Sequence, residues 1–581
     1  MRITLTAACR TVCALAAVVI GVGSLSAALP IGAVSDQASL VIRLKQPDAT
    51  IQKVVDFVNQ IQPGLGTMVQ AQTQGLGVLI SNPTLAGVDQ KRDWYVAAFA
   101  RAEGEPGVLF VIPVTDAKAF QEALGDQFKS VAKDKWVVYS DDAATLEAAQ
   151  KRLSGEGRSI AELIAGKPKE IFDAGDLSVY INVPQLRKVY KKQLDEAGQA
   201  IDDFFDKLSQ TSVPQPGVDF EAIAELYKQI VSALLQAVRD TNSCTAALTV
   251  TRSGLTFDEY ALVSPSSPTD RFLQANPPSE LKLFARLPAG KPVYAGFFAD
   301  TARLAQWGTN WYGSVLKDNP EFKKLATAMF QELSKAQFGD MVSCFWFGTV
   351  ATGVIRSATI SEVKPTSVVR NMTDSMMELM PKMETPGIKY EVEAKRDAEK
   401  YGKYSADVHR VKLAIDQEAD PTGTAKAIID AVYGPEGLTT RTIYLPDKVV
   451  QVVGGGKETA MEVLESLENP KSGTPTEYMA LRQQLLPKAN VLVLIDLPGS
   501  IFQVFKLIVD SGKLPIPVKP DMLDGLQISP SYMGFSVATE PQGVRAKTVI
   551  PTKQFQNIMQ LVTFAQQVFM RVQMQQQQGQ F

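Results

Sequence analysis

Histidine is nearly absent from this sequence, with one such residue among 581. That residue, His409, lies in the alternating stretch SADVHRVKL, a pattern typical of a half-buried strand. Catalysis by a Ser–His–Asp or Cys–His arrangement needs a histidine beside the nucleophile, and no local pattern supplies one. The same scarcity argues against a zinc site built from histidine and cysteine. We therefore expect no catalytic residues, no metal and no cofactor.

Cysteine is scarce as well, with four residues in the chain. Cys9 and Cys13 fall inside an apolar N-terminal segment, which leaves Cys244 and Cys344. In an exported protein, two cysteines can form a disulfide. Both also lie in predicted strand interiors, where a buried free thiol is equally natural. The sequence leaves these two alternatives open.

An excess of positive charge is missing too, since the chain has 59 Lys and Arg residues and 62 Asp and Glu residues. The nearest approach to a basic block is KVYKKQL, from Lys188 to Leu194, which is typical of the solvated face of a helix. Nucleic-acid binding needs a basic surface, usually with aromatic residues among the charges. We therefore expect no nucleic-acid partner.

Long apolar runs are confined to the N-terminus. Arg2 and Arg10 precede an apolar run, Thr11 to Ala28, that ends in small residues, which is the pattern of a secretory signal peptide over residues 1–28. An uncleaved membrane anchor is the alternative, because the run nears the length needed to span a bilayer. No later stretch reaches about 18 apolar residues. The sequence thus predicts export to the periplasm or beyond, with no transmembrane segment in the mature chain.

One structural unit recurs along the chain. The stretch Asp93 to Leu124 predicts two alternating strands, a turn at Pro106-Gly107, and a helix capped by Thr115 or Asp116. Similar stretches begin at Asn242, Asp340 and Ser531. Each has a strand, a turn containing glycine, a second strand, a cluster of Pro, Ser or Thr, and then a helix.

Other short patterns also occur in pairs and in the same order. Ile181–Pro184 and Ile495–Pro498 each end an apolar run with Asn or Asp followed by Pro, which favours a helix start. We infer an internal duplication, although strand–cap–helix patterns are common enough for the order to match by chance. The prediction is an α+β fold with two homologous mixed-sheet domains. It comprises the following segments: residues 38–275 with a helical insertion near 185–240, residues 290–575 with an insertion near 382–444, and a disordered Gln-rich tail at 576–581.

Two patterns invite a catalytic or phosphate-binding interpretation. The stretch Gly454–Thr459, GGGKET, lies between a strand and a helix, but Gln451 and Glu458 occupy positions where a phosphate loop needs Gly and Ser or Thr. Ser-x-x-Lys occurs at Ser130/Lys133 and at Ser314/Lys317, and Lys471–Gly473 imitates a further element of penicillin-recognising enzymes. That triplet lies in a predicted loop rather than on the core strand it would need.

Aromatic residues cluster at the start of the second half. Trp307 and Trp311 are four residues apart, on one face of a predicted helix, and Tyr312 follows them. One interpretation is core packing between the halves. The other is an apolar groove for a lipid, glycan or peptide, with these three residues binding the ligand.

The layout of export signal and repeated strand–helix modules resembles that of large exported bacterial proteins classed as a domain of unknown function. The resemblance covers most of the mature chain but carries no specific motif, so it implies no site residues. We predict an exported, non-enzymatic binding or scaffold protein of the envelope, whose partner is an unknown protein, glycan or lipid. Two alternatives are a histidine-free hydrolase using Ser, Lys and carboxylates, and a structural or assembly protein. Any active surface is expected near Trp307–Tyr312 or Lys382–Tyr444, outside the repeated parts.

Overall fold

A computed structural model describes residues 30–72, 74–211, 220–299, 328, 331–382, 387–416, 418, 420–469, 476–511, 520–523 and 526–578. These residues form an α+β fold, as predicted. Every pairing between described strands is antiparallel, so the expected mixed sheets are instead antiparallel ones.

The described residues within 1–200, 233–274 and 540–556 form one compact unit, unit 1. Its strands are β1 Leu40–Leu44, β2 Trp94–Phe99, β3 Gly107–Pro113, β4 Lys129–Lys133, β5 Trp136–Ser140, β6 Leu177–Asn182, β7 Thr241–Thr251, β8 Gly254–Val263 and β18 Gly543–Pro551. Its helices are α1 Pro47–Ile61, α2 Leu65–Gln72, α3 Gln74–Leu79, α4 Ala117–Leu124, α5 Ala143–Leu153, α6 Gly166–Ala174 and α7 Val183–Val189, with short 3-10 turns at Ile31–Ala33 and Ile160–Glu162.

The described residues within 201–232, 275–539 and 557–581 form unit 2. Its strands are β9 Val293–Phe297, β10 Gln337–Thr349, β11 Gly353–Lys364, β12 Ile388–Tyr401, β13 Tyr404–Ile415, β14 Leu438–Tyr444, β15 Lys448–Val453 and β16 Val491–Ile495. Its helices are α11 Ser367–Leu379, α12 Thr424–Tyr433, α13 Lys457–Glu468, α14 Thr476–Gln484, α15 Leu497–Ser511 and α16 Pro520–Leu523, with 3-10 turns at Lys282–Arg286 and Met380–Lys382. The elements with residues in both units are α8 Lys191–Thr211, α9 Phe220–Asp240, α10 Pro268–Ala275, β17 Met533–Glu540 and α17 Thr552–Gln578.

The strands of unit 1 pair in the order β4-β5-β3-β2-β1-β6-β7-β8-β18. Both faces of the sheet are covered near its centre. Val41, Ala97 and Val111 pack in one apolar cluster, and Trp94 and Phe120 pack in another. Apolar side chains on both faces of a strand produce near-continuous hydrophobic runs, which explains sequences such as LVIRL in β1.

The strands of unit 2 pair in the order β12-β13-β14-β15-β11-β10-β9-β16-β17. The two orders agree over seven strands, with β14, β15, β11, β10, β9, β16 and β17 of unit 2 in the places of β4, β5, β3, β2, β1, β6 and β7. Strands β8 and β18 of unit 1 have no counterpart in this comparison. The hairpin β12–β13 is the addition in unit 2, and it falls in the segment predicted as an insertion near 382–444. The agreement concerns topology, and the duplication itself stays a prediction.

Two boundaries differ from the sequence prediction. Strand β18 was placed in the second domain, yet it pairs along its length with β8 of unit 1. Arg545 on β18 binds Asp258 on β8 with Nε–Oδ1 and Nη2–Oδ2 distances of 2.9 and 2.6 Å, which adds a charge-assisted pair to that ladder. Helix α17 continues to Gln578, into the segment predicted to be disordered from 576, because glutamine is a good helix former.

The predicted caps are confirmed. The Asp116 carboxylate accepts hydrogen bonds from the backbone N–H groups of Lys118 and Ala119 at the start of α4. The side chain of Asn182 accepts from Gln185 N at the start of α7, and that of Asp496 accepts from Gly499 N at the start of α15. Each side chain satisfies a backbone donor that the first helical turn leaves unpaired. These residues are therefore structural.

Candidate functional site

A cavity of about 410 Å³ lies in unit 2 between helix α11 and one face of the sheet. Its volume falls within the range of about 300–1,000 Å³ that small-molecule sites occupy. We call it the α11 cavity, and its lining residues are Leu333, Phe338, Ser361, Val363, Val369, Met372, Thr373, Met376, Met377, His409, Val411, Leu438, Thr440, Val449 and Gln451.

The helix side of the cavity is apolar and rich in methionine. In α11, Val369, Met372 and Met376 recur at spacings of three and four residues, which places them on one helical face. Val368 is buried among Ala336, Val363 and Val449 and fixes that face against the sheet. Methionine side chains are unbranched and polarizable, so they adapt to apolar ligands of different shape.

The sheet side places polar groups among apolar ones. On β13, His409 and Val411 are two residues apart and therefore share a face. In the antiparallel register His409 lies opposite Thr440 of β14, and Val411 lies opposite Leu438. Gln451 comes from the neighbouring strand β15 and also lines the cavity. Together with Ser361 and Thr373, these side chains place five groups able to hydrogen-bond in a mainly apolar space.

His409 is the one ionisable side chain among the described lining residues. It is 2% exposed, and its Nδ1 atom has no hydrogen-bond partner within the described structure. An unpaired buried polar atom costs free energy, of the order of 1–3 kcal/mol. The imidazole ring lines the cavity, whereas its Nδ1 atom is itself buried.

The pKa of His409 should lie below its usual value of 6.5, because burial disfavours the imidazolium more than nearby charges favour it. Asp407 and Asp374 raise the pKa, whereas Arg370 lowers it further. The unfolded chain then binds a proton that the folded chain does not, so the free energy of unfolding should fall as the pH drops below about 6.5. NMR of protein labelled in histidine tests this through a single signal, since the chain has one histidine. An apparent pKa at or above 6.5 would contradict the buried position.

A charged group beside the cavity is already paired. The guanidinium of Arg370 on α11 donates from Nε to Asp407 Oδ2 at 2.7 Å and from Nη2 to Asp407 Oδ1 at 2.5 Å. Nη2 also donates to Asp397 Oδ2 at 3.1 Å. The Asp407 side chain is 1% exposed, and its hydrogen bonds raise the pKa of Arg370. This ion pair ties α11 to β13 and so holds the two sides of the cavity together.

The sequence-predicted ligand residues Trp307, Trp311 and Tyr312 lie outside the described residues. The prediction of His409 as a strand residue is confirmed, since it belongs to β13. What the sequence did not predict is that this strand borders a cavity. The segment 382–444, which the sequence analysis proposed as one location for an active surface, supplies the lining residues His409, Val411, Leu438 and Thr440.

The GGGKET stretch forms a helix start, as its departures from the phosphate-loop spacing predicted. Gly454 and Gly455 have φ values of 70° and 69°, which L side chains rarely adopt, and α13 begins at Lys457. The Glu458 carboxylate accepts the Gly456 N–H at 3.0 Å. A carboxylate already occupies the position where a phosphate would bind, so the geometry does not support phosphate binding.

Ser130 and Lys133 do not form a nucleophile and base. They lie three residues apart on strand β4, so their side chains point to opposite faces. Ser130 Oγ accepts from Gln121 Nε2 at 2.9 Å, and Lys133 Nζ donates to the Leu153 carbonyl. Ser314, Lys317 and Lys471–Gly473 lie outside the described residues.

Both remaining cysteines are free thiols in the structure. Cys344 on β10 is fully buried, and burial raises the pKa of its thiol to about 12. Burial also raises the pKa of the partly buried Cys244 thiol. Because the thiolate is the reactive form, neither group has the character of a catalytic nucleophile.

Titration of thiols checks these assignments. Without reduction, denatured protein lacking residues 1–28 should show two reactive thiols, Cys244 and Cys344. In the folded protein Cys344 should react far more slowly, because its thiol is buried and protonated at neutral pH. Absence of reactive thiols in denaturant would demonstrate a disulfide instead.

In the described part of the chain, no group of three or more His, Cys, Asp or Glu side chains is arranged to hold a metal ion. No helix described in the structure is both long and apolar enough to cross a membrane.

The described residues thus define an α+β protein with antiparallel sheets and an apolar cavity under one helix. No known protein family matches the sequence, and no curated protein matches it. Among solved structures, crystal form III of TP0453 is 9% identical, with 48% of this chain and 97% of that chain covered and a TM-score of 0.22. Crystal form I is 11% identical, with 42% and 81% covered and a TM-score of 0.20. At these scores the similarity supports no statement about function.

Proposed function

We propose that this is an exported binding protein of the bacterial envelope that holds one small apolar molecule in the α11 cavity. The observation that carries the proposal is the lining of the α11 cavity, in which mainly apolar side chains surround a few uncharged polar groups, among them His409, Thr440 and Gln451. Binding sites for small molecules combine apolar linings with a few polar groups that fix orientation. The α11 cavity has this composition.

The apolar lining supplies the affinity in this proposal. Met372, Met376 and Val369 from the helix face Val411 and Leu438 from the sheet across the cavity. Removal of apolar surface from water contributes about 25 cal/mol per Å². An acyl or alkyl chain is the ligand type that gains most from such a lining, since it has no polar group to desolvate along its length.

Binding is favoured over catalysis by the chemistry of the same residues. A hydrolytic site gathers a nucleophile, a base and a group that stabilises negative charge. The described lining brings His409 together with Thr440, Gln451 and apolar side chains, and Arg370 beside it is committed to carboxylates. Nothing in this set forms a paired nucleophile and base.

Fluorescence titration with N-phenylnaphthylamine, a neutral apolar probe, tests the proposal. The probe should bind saturably with one site per chain and should be displaced by an alkyl alcohol. Urea-denatured protein is the control and should give no saturable signal. Signal that rises linearly with probe, without saturation, would overturn the proposal.

The export part of the proposal has a separate test. The mass of the protein recovered from the envelope of its own cell should match a chain that begins after residue 28. Recovery of the full chain beginning at Met1 would favour the uncleaved anchor instead. Recovery from the cytoplasm alone would contradict export.

A further inference from the structure

Resting on the proposed function, we infer that the α11 cavity takes amphiphiles whose polar group is uncharged, such as alcohols and esters, and excludes carboxylates of the same chain length. The described polar groups that line the cavity are the imidazole of His409, the amide of Gln451 and the hydroxyls of Ser361, Thr373 and Thr440. Lysine and arginine are absent from this described lining.

The arginines next to His409, Thr440 and Val369 in sequence point elsewhere or are paired. Arg410 lies between His409 and Val411 on β13, so its side chain is on the other face, where Nη1 donates to Glu393 Oε2 at 3.3 Å. Arg441, next to Thr440 on β14, is likewise on the other face and pairs with Glu399. Arg370 already binds Asp407 and Asp397. A carboxylate in the cavity would therefore gain no cation from these side chains.

The charges beside the cavity offer an anion no net attraction. Asp407 is buried two residues from His409 on the same face of β13, and Asp374 lies on α11. Asp407 is compensated by Arg370, and Asp374 by Arg396, so neither pair leaves excess positive charge. Bringing an unpaired carboxylate out of water into this space carries a large desolvation penalty.

Neutral polar groups fit the hydrogen-bonding capacity of the lining. A neutral imidazole offers one donor and one acceptor nitrogen, and the Gln451 amide offers both kinds of group. An alcohol can donate to one and accept from another, whereas an ester carbonyl needs a single donor.

The test compares dodecanol, methyl dodecanoate and dodecanoate as competitors of N-phenylnaphthylamine at about pH 8, where the carboxyl group is ionised. The alcohol and the ester should each displace the probe at concentrations at least about tenfold lower than dodecanoate. Equal or stronger displacement by dodecanoate would overturn this inference while leaving the proposed function in place. Absence of saturable probe binding would overturn the proposed function itself.

Variants at His409 assign the selectivity to a residue. His409→Leu should lose a much larger part of the affinity for dodecanol than of the affinity for the probe, whereas His409→Gln should retain a hydrogen bond and much of the affinity for dodecanol. Circular dichroism and unfolding curves check that both variants fold. Unchanged affinity for dodecanol in a folded His409→Leu protein would contradict the assignment.

Discussion

Thr440→Phe should abolish saturable binding of N-phenylnaphthylamine without unfolding the protein. Thr440 lies on β14 opposite His409 and lines the α11 cavity, so a phenyl ring at this position occupies the space that the ligand needs. Phenylalanine suits a strand. Because the ring fills an existing cavity, we expect the free energy of unfolding to stay the same or to rise by about 1 kcal/mol. Fluorescence titration and urea unfolding measure the two effects.

Thr439→Phe is the matched control. Thr439 precedes Thr440 on the same strand, so its side chain points to the opposite face of the sheet, and it is not a lining residue. The control variant introduces the same ring at a position of similar burial, since both threonines are partly buried. The control should bind the probe like the unaltered protein. Normal binding by Thr440→Phe would place the ligand somewhere other than the α11 cavity.

Glu399→Ala should destabilise unit 2 by about 3–5 kcal/mol, because it leaves a buried guanidinium without its counter-charge. Arg441 Nε donates to Glu399 Oε2 at 2.8 Å, and the two side chains are 9% and 14% exposed. The Tyr401 hydroxyl also donates to Glu399, and Arg441 donates to the Gly455 carbonyl at 2.8 Å. The pair joins β12 to β14 across the strand that carries His409. Urea unfolding followed by tryptophan fluorescence measures the loss.

Two variants separate the buried charge from a general effect of mutation. Asp430→Ala removes one partner of the exposed pair Lys426–Asp430 on α12, which should cost no more than about 1 kcal/mol. The double replacement Glu399→Leu with Arg441→Leu removes both buried charges and should recover much of the lost stability. If Glu399→Ala lowers the free energy of unfolding no more than Asp430→Ala does, the Glu399–Arg441 pair is effectively solvated.

Local features of the fold could be predicted from the sequence because their causes are local. The caps formed by Asp116, Asn182 and Asp496 depend on a few neighbouring residues, and the strand containing His409 depends on alternation. The pairing of β8 with β18 could not be predicted, since it joins Asp258 to Arg545, which are 287 residues apart. Many strands offer similar alternating patterns, so pattern alone does not choose between partners.

The candidate site was out of reach for the same reason. Its helix side comes from α11 and its sheet side from β13, β14 and β15, and no sequence pattern indicates that this helix lies over those strands. The sequence drew attention to Trp307 and Trp311, because aromatic residues often line binding grooves, and these two residues lie outside the described part of the chain. Valine, methionine and threonine line the α11 cavity, and these residues occur throughout ordinary cores. His409 was the one distinctive residue among them.

Photoaffinity labelling with a diazirine-bearing alkyl alcohol tests most directly whether the α11 cavity is a binding site. After irradiation and proteolysis, the modified peptides should come from α11 and from the strands carrying His409, Val411 and Thr440. Excess dodecanol should suppress the labelling, and Thr440→Phe should remove it. Labelling concentrated in unit 1, or labelling of these peptides that persists in Thr440→Phe, would contradict ligand binding in the α11 cavity.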